Sequence, residues 1–223
     1  MKRAAADPRS AAEFLAAVPA GSTSLEIKGH RLLDARASVG PVRAIQRREE
    51  LLELLEDVRK LRPRHVCEIG TASGGTLYFL TRVAHESALI VSIDIATPPY
   101  TRFTRSKLAR AKQRVISLEG DSNATETMER LLALLDGELL DFLLVDGDHS
   151  YDGVKRDFEL YAPLVRPGGL IALHDINPDS GNPAGPISGD VPRVWAELRE
   201  SHRTKEIVHA PPGEGLGIGI VHP

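Results

Sequence analysis

The sequence predicts an α/β chain: a doubly wound, mostly parallel sheet of seven strands with an antiparallel last strand. Three observations carry that expectation. Short apolar runs alternate with amphipathic helical stretches from residue 65 onwards, the order expected of β-α-β units. The run LLDFLLVD at 139–146 is apolar almost throughout, as a strand covered on both faces requires. Two further runs, KEIVHA at 205–210 and GLGIGIVH at 215–222, end the sequence with only a short connection, which suits an antiparallel pair.

Residues 1–43 read as a helical and irregular extension, with a short helix over 11–18 and Gly21, Gly29, Gly40 and Pro41 as punctuation. Residues 44–223 form the main domain. Leu51, Leu54, Leu55, Val58 and Leu61 recur at three- and four-residue spacing, which predicts a helix over 44–61 ended by Pro63. Strands are expected at 65–70, 88–94, 115–120, 139–146 and 170–175. Helices are expected after the first glycine turn to residue 83, and over 105–114, 125–135, 151–165 and 194–201. The stretch 178–192 is rich in Gly, Pro, Ser and Asp and reads as a loop. Trp195 reads as core, with a wall behind that loop as the other reading.

Composition narrows the function classes. The chain has 223 residues, long enough to bury a core without staples, and one cysteine, Cys67, so no intrachain disulfide can form. That usage fits a reducing compartment, and a cytoplasmic location is expected. The net charge of -3 speaks against a nucleic-acid partner. No apolar run approaches the roughly 18 residues of a membrane span. Asp7, Arg9, Ser10 and Glu13 break the N-terminal stretch where a signal peptide would be continuous. A membrane partner is therefore not expected. The segment before residue 44 is the candidate for homo-oligomer contacts.

Ligands of parallel doubly wound sheets bind at the carboxyl ends of the strands. The first strand ends in Glu68-Ile-Gly70-Thr-Ala-Ser-Gly74-Gly75. This is not the G-x-G-x-x-G of a dinucleotide turn, and the acid at Glu68 suits a cationic amino-acid ligand better than a diphosphate. Asp94 ends the second strand, where a carboxylate accepts from ribose hydroxyls. The third ends in Gly120-Asp121-Ser122, with Asp121 placed to accept from an adenine amino group.

E-I-G-x-x-x-G-G, the strand-two Asp, the strand-three G-D-S and the P-G-G before strand five resemble the class I S-adenosylmethionine-dependent methyltransferases, over about residues 42–222. The resemblance implies a Rossmann-like fold and S-adenosylmethionine as cofactor. It places Gly70, Gly74 and Gly75 along the methionine and ribose, Glu68 near the methionine end, Asp94 at the ribose, and Asp121 with Ser122 at the adenine.

Two acid–histidine clusters follow on consecutive loops: Asp146-Gly-Asp148-His149 after strand four and His174-Asp175 after strand five. Oxygen and imidazole groups gathered there suit a divalent cation, which lowers the pKa of a bound hydroxyl. A histidine is the natural acceptor for its proton. D-G-D-H-S-Y-D-G-V with P-G-G-L-I-A-L-H-D-I resembles the small methyltransferases near cephalosporin hydroxylase-like proteins and macrolide sugar O-methyltransferases. More distantly it resembles cation-dependent catechol-type enzymes. That resemblance implies His149 as base, Asp146 beside both cofactor and cation, and Asp146, His174 and Asp175 as donors to magnesium or manganese. The chain departs from its relatives at His174, where an acid is usual. The function expected is an O-methyltransferase acting on a hydroxylated small molecule. An NAD(P)-dependent Rossmann oxidoreductase and a catalytically inactive cofactor-binding protein are the alternatives.

Overall fold

The structure, a computed structural model, describes residues 20–22, 25–26, 42–96, 105–110, 112–179 and 188–223. The expected helix over 11–18, most of the 1–43 extension and residues 180–187 of the expected loop lie outside the described residues.

A two-residue strand, β1 (Leu25–Glu26), pairs antiparallel with β2 (Arg43–Ala44). Helix α1 (Arg48–Leu61) follows. It buries Leu51, Leu54, Leu55 and Val58 on one face, as their spacing dictates. Glu49 and Glu50 in its first turn and Arg59 and Lys60 in its last complement the helix dipole. It stops at Arg62, whose left-handed φ of 49° turns its N–H back onto Val58 and Arg59 carbonyls. The remaining elements are β3 (His65–Ile69), α2 (Gly75–Val83), β4 (Leu89–Asp94), β5 (Arg114–Glu119), α3 (Thr125–Leu135), β6 (Leu140–Val145), α4 (Tyr151–Tyr161), β7 (Val165–His174), α5 (Val191–Ser201), β8 (Arg203–Ile207) and β9 (Ile218–His222).

Strands β3 to β9 form one sheet in the order β5-β4-β3-β6-β7-β9-β8. The first five are parallel and β9 runs antiparallel to both neighbours. This is the seven-stranded Rossmann-like arrangement expected from the sequence. One apolar layer, with Leu54, Val58, Leu77, Leu80 and Ile90, lies under α1 and α2. The other, with Val91, Leu131, Leu143, Phe158 and Trp195, lies under α3, α4 and α5. Trp195 is therefore core, and its indole N–H donates to Glu206 at 2.7 Å.

Several boundaries move. The expected 44–61 helix begins at Arg48 because Arg43–Ala44 is drawn into β2. The helix expected over 105–114 is a single 3₁₀ turn, Arg105–Leu108, and Arg114 already pairs in β5. Pro163 cannot continue α4, so the helix ends at Tyr161 and a 3₁₀ turn, Ala162–Leu164, follows. Strand β7 starts at Val165, earlier than expected, and takes in Pro167-Gly168-Gly169 beside a register shift between Leu140 and Phe142.

Candidate active site

The strand order reverses between β3 and β6, so the carboxyl ends of β4, β3, β6 and β7 stand side by side around that reversal. Every site residue expected from the sequence lies at one of these ends or at that of β5.

Glu68 is buried on β3, and its Oε2 has no hydrogen-bond partner. Burial pushes its carboxyl up to about 8; Thr71 works against that shift and Asp146 adds to it. The three glycines differ. At Gly70, φ is +82° and a Cβ would fall 1.8 Å from the Asp146 carbonyl oxygen. At Gly75 a Cβ would fall 2.0 Å from the Ala44 nitrogen, so β2 rests directly on this turn. Close backbone approach explains both glycines without a ligand. Gly74 is the N-cap of α2, with φ 86° and no side-chain cap.

Asp94 accepts the Ala72 N–H at 2.7 Å through Oδ2, which also lies 3.2 Å from Arg105 Nη2. Arg105 is 1% exposed and also donates to Ser92 Oγ at 3.3 Å and to the Ala72 carbonyl. Ser92 in turn donates to Thr71 at 2.8 Å, so Arg105 anchors a buried polar chain beneath the turn. Asp121 is exposed and caps its own turn through the Asn123 N–H at 2.9 Å. The Ser122 carbonyl accepts the Tyr161 hydroxyl at 2.8 Å.

The second half is a cluster of two carboxylates and two imidazoles. His174 Nδ1 lies 3.1 Å from Asp146 Oδ1 and 3.2 Å from Asp175 Oδ2. Burial opposes its protonation, yet Asp146 and Asp175 outweigh that and hold its pKa well above the ordinary imidazole value. For Asp146 burial acts upward, but His174 and His149 prevail and hold its carboxyl below the usual range. His149 Nε2 stands 3.8 Å from Asp146 and 3.6 Å from Asp175, and its side chain is 29% exposed, against 3% for His174. Asp175 is buried in a left-handed conformation, φ 63°, and its Oδ1 has no hydrogen-bond partner. A non-glycine residue held there is strain that the surroundings impose. One ligand atom each from Asp146, His149 and Asp175 falls within 4.8 Å of the others. The His149 carbonyl accepts the Asp190 N–H at 2.8 Å, which ties the loop before α5 to the cluster.

Sequence reading missed three residues. Gln46 is 1% exposed and donates to Asp146 Oδ2 at 3.2 Å. Arg105 is the second. Asp157, on α4, is buried close to Gly147, with neither oxygen hydrogen-bonded. Burial pushes its carboxyl up to about 6, Ser122 opposes this, and Asp121 and Asp148 add to it. The signal at Asp157 was a carboxylate on the apolar stripe of Val154, Phe158 and Tyr161.

Residues 67–176 match the family described as "Methyltransferase domain". Rhamnosyl O-methyltransferases of Mycobacterium tuberculosis and Mycobacterium bovis are 25% identical over 157 residues, 69% of this chain and 62% of theirs. The chain thus spans less than two thirds of the length of these curated relatives. An O-methyltransferase from Bacillus cereus, solved with S-adenosylhomocysteine, superposes with a TM-score of 0.59 at 19% identity, covering 78% of this chain and 80% of that one. One from Streptomyces achromogenes involved in tomaymycin synthesis, solved with S-adenosylmethionine, gives 0.55 at 17% identity, covering 80% and 81%. At such identities the structural likeness bears on the fold.

Proposed function

We propose that this chain, whose residues 67–176 match a methyltransferase domain, is a class I S-adenosylmethionine-dependent O-methyltransferase acting on a hydroxyl of a small molecule. The observation that carries the reading is the meeting of Asp146, His149 and Asp175 at two neighbouring strand ends, directly beside the Gly70–Gly75 turn. The name of the rhamnosyl relatives favours a sugar hydroxyl as acceptor. A single buried cysteine fits a cytoplasmic location.

S-adenosylmethionine supplies the electrophilic methyl group. The buried, unpartnered Oε2 of Glu68 fits a cationic ammonium group, and Asp94 at the end of β4 fits ribose hydroxyls. Asp121 and Ser122 border the place for an adenine. A divalent cation such as magnesium or manganese would lower the pKa of the acceptor hydroxyl. The donor set fits one: Asp146 and Asp175 would hold it, and Asp175 Oδ1 is a buried oxygen without a partner. His174 braces both carboxylates through Nδ1. His149, the more exposed imidazole, takes the hydroxyl proton. The protein's remaining part is to hold acceptor and methyl donor in line.

A second reading follows from the short distances of His149 Nε2 to both carboxylates: His149 as a third cation donor. One experiment tests both. Methyl transfer from S-adenosylmethionine to a panel of rhamnosides and polyketide glycosides is followed with EDTA, and with magnesium or manganese added back. Turnover that stops in EDTA and returns with the cation supports the cation site. His149→Ala that keeps its cation affinity but loses about 10²–10⁴ in rate makes His149 the base; lost cation affinity makes it a donor. Binding of NAD(P) without any binding of S-adenosylhomocysteine overturns the proposal.

A further inference from the structure

The fold assembles a concentrated positive cleft at the amino ends of β3, β4 and β5, opposite the carboxyl ends that carry the candidate active site. Arg59 and Arg62 come from the end of α1, Arg82 from the end of α2, His85 from the following turn, and Arg110 from the loop before β5. They line a cleft of about 380 Å³ together with Val83, Ala84 and Glu86. Glu86 is the one acid among these lining residues, and its carboxylate is engaged 3.1 Å from Lys112. In a chain of net charge -3 such a gathering is not a by-product of excess basic residues.

Helix ends account for part of it. Arginines in the last turns of α1 and α2 complement two negative helix termini, which explains Arg59 and Arg82. Arg62 lies beyond the end of α1 in a left-handed conformation, and Arg110 arrives from a different element. Neither is placed by a helix dipole of its own.

The cleft is also built. Arg82 is stacked over the Tyr78 ring, 4.3 Å from its centroid, and its Nε is buried without a hydrogen-bond partner. Gln113, itself buried, accepts the Arg110 N–H at 3.0 Å and donates to the carbonyls of Thr81 and His85 at 2.9 and 3.0 Å. That one side chain fixes the loop of Arg110 against the end of α2. Arg110 Nη1 reaches the Arg82 carbonyl at 3.4 Å.

We infer that this cleft is a binding site for a phosphate or diphosphate group, separate from the methyl-transfer site and about one strand length away, roughly 17 Å. Guanidinium groups present planar paired donors that match phosphate oxygens. Four arginines lining one cleft with a single engaged acid suit a multiply charged oxyanion. The phosphate comes either from a soluble phosphate ester or from an anionic lipid headgroup.

The test uses the full chain at fixed ionic strength. Inorganic pyrophosphate is titrated by calorimetry, and vesicles of phosphatidylglycerol with phosphatidylcholine are compared with pure phosphatidylcholine in a flotation assay. The expected result is saturable binding of at least one of these probes, weakened tenfold or more in Arg62→Gln/Arg110→Gln. Both positions are exposed, so the variant should fold, and its S-adenosylhomocysteine binding should match the parent. Arg203→Gln, at the other end of the strand order, should bind the probe as the parent does. Pyrophosphate binding without vesicle binding identifies a soluble ester as the source; the reverse identifies a lipid headgroup. Binding of neither probe overturns the inference. So does binding unchanged in the double variant, or weakened equally by Arg203→Gln.

Discussion

Gln46 and Asp146, one hundred residues apart in sequence, meet through a 3.2 Å bond from the amide Nε2 to carboxylate Oδ2. The bond joins the segment entering α1 to the loop after β6. It leaves Asp146 Oδ1 to the two histidines, His174 at 3.1 Å and His149 at 3.8 Å. We predict that Gln46→Ala lowers kcat about ten- to a hundredfold, because a charge-assisted bond is worth roughly 1.5–3 kcal/mol. The melting temperature should stay within a few degrees of the parent. Gln46→Glu should be worse, since it sets a second carboxylate against Asp146. Full activity in both variants would show that Asp146 needs no such support.

Asp94 holds a buried arginine, Arg105, in addition to the ribose-binding role proposed for it. Breaking a buried ion pair strands the remaining charge, at about 3–5 kcal/mol. Asp94→Ala is therefore expected to lower the melting temperature by roughly 10 °C. Asp94→Asn keeps an oxygen for Arg105 and the Ala72 N–H and should lose less. A calorimetric scan of both variants, run beside S-adenosylhomocysteine titrations, separates stability from affinity. An unchanged melting point in Asp94→Ala would dismiss the ion pair as a stabilising contact.

Glu68 makes the free protein sensitive to alkali. Its folded pKa of about 8 lies above the unfolded value of about 4.3, so the folded state binds more protons between them. Stability therefore falls as pH rises through that window. We predict that Glu68→Gln is more stable than the parent at pH 8, by on the order of 2 kcal/mol or more, and that the gap closes towards pH 5. His174 acts in the same direction above about 6.5, but equally in both proteins. Parallel curves for parent and variant across pH 5 to 9 would contradict this. The same variant should bind S-adenosylhomocysteine more weakly.

Glu50 is a structural counterpart to these site carboxylates. Fully buried on α1, it accepts N–H groups of His209 at 2.8 Å, Ala210 at 3.2 Å and Gly217 at 2.9 Å. It thereby stitches α1 to the β8–β9 hairpin, whose Ile218 pairs with His174. Glu50→Ala orphans three donors at about 1–3 kcal/mol each, less whatever water recovers. A loss of roughly 3–5 kcal/mol in urea denaturation is expected. Glu50→Gln should fall between, and a parent-like midpoint in Glu50→Ala would remove the stitch.

The sheet was legible in the sequence because each strand carries its own signal. Buried parallel strands are apolar on both faces, and the turns between them are punctuated by glycine or proline. The same logic brought Asp146, His149, His174 and Asp175 together, since parallel topology alone carries neighbouring strand ends to one place. What was not legible depends on contacts between distant segments. Nothing local in PVRAIQRREE tells that Arg43–Ala44 lies on Gly75 or that Gln46 reaches Asp146. Arg105 looks like one more helix-surface residue until the chain turns at Leu108 and buries it. Arg59 and Arg62 are near neighbours in sequence, but Arg82 and Arg110 are distant from them, and the packing of α2 and of the loop before β5 beside the end of α1 gathers the four.

The three glycines of the first turn bear differently on redesign of that turn. A library that varies the loop to accept a new ligand should hold positions 70 and 75 fixed, because backbone from the loop after β6 and from β2 already fills the space of a side chain there. Position 74 is open by comparison: the nearest atoms to a Cβ are Leu108 Cδ1 at 3.6 Å and Arg105 Cγ at 3.7 Å, and only its backbone angle resists. Asparagine, which tolerates that angle, is the substitution to try first. Sequence variety in this turn can thus be sought at one of the three glycines, and it is the one beside the Arg105 turn.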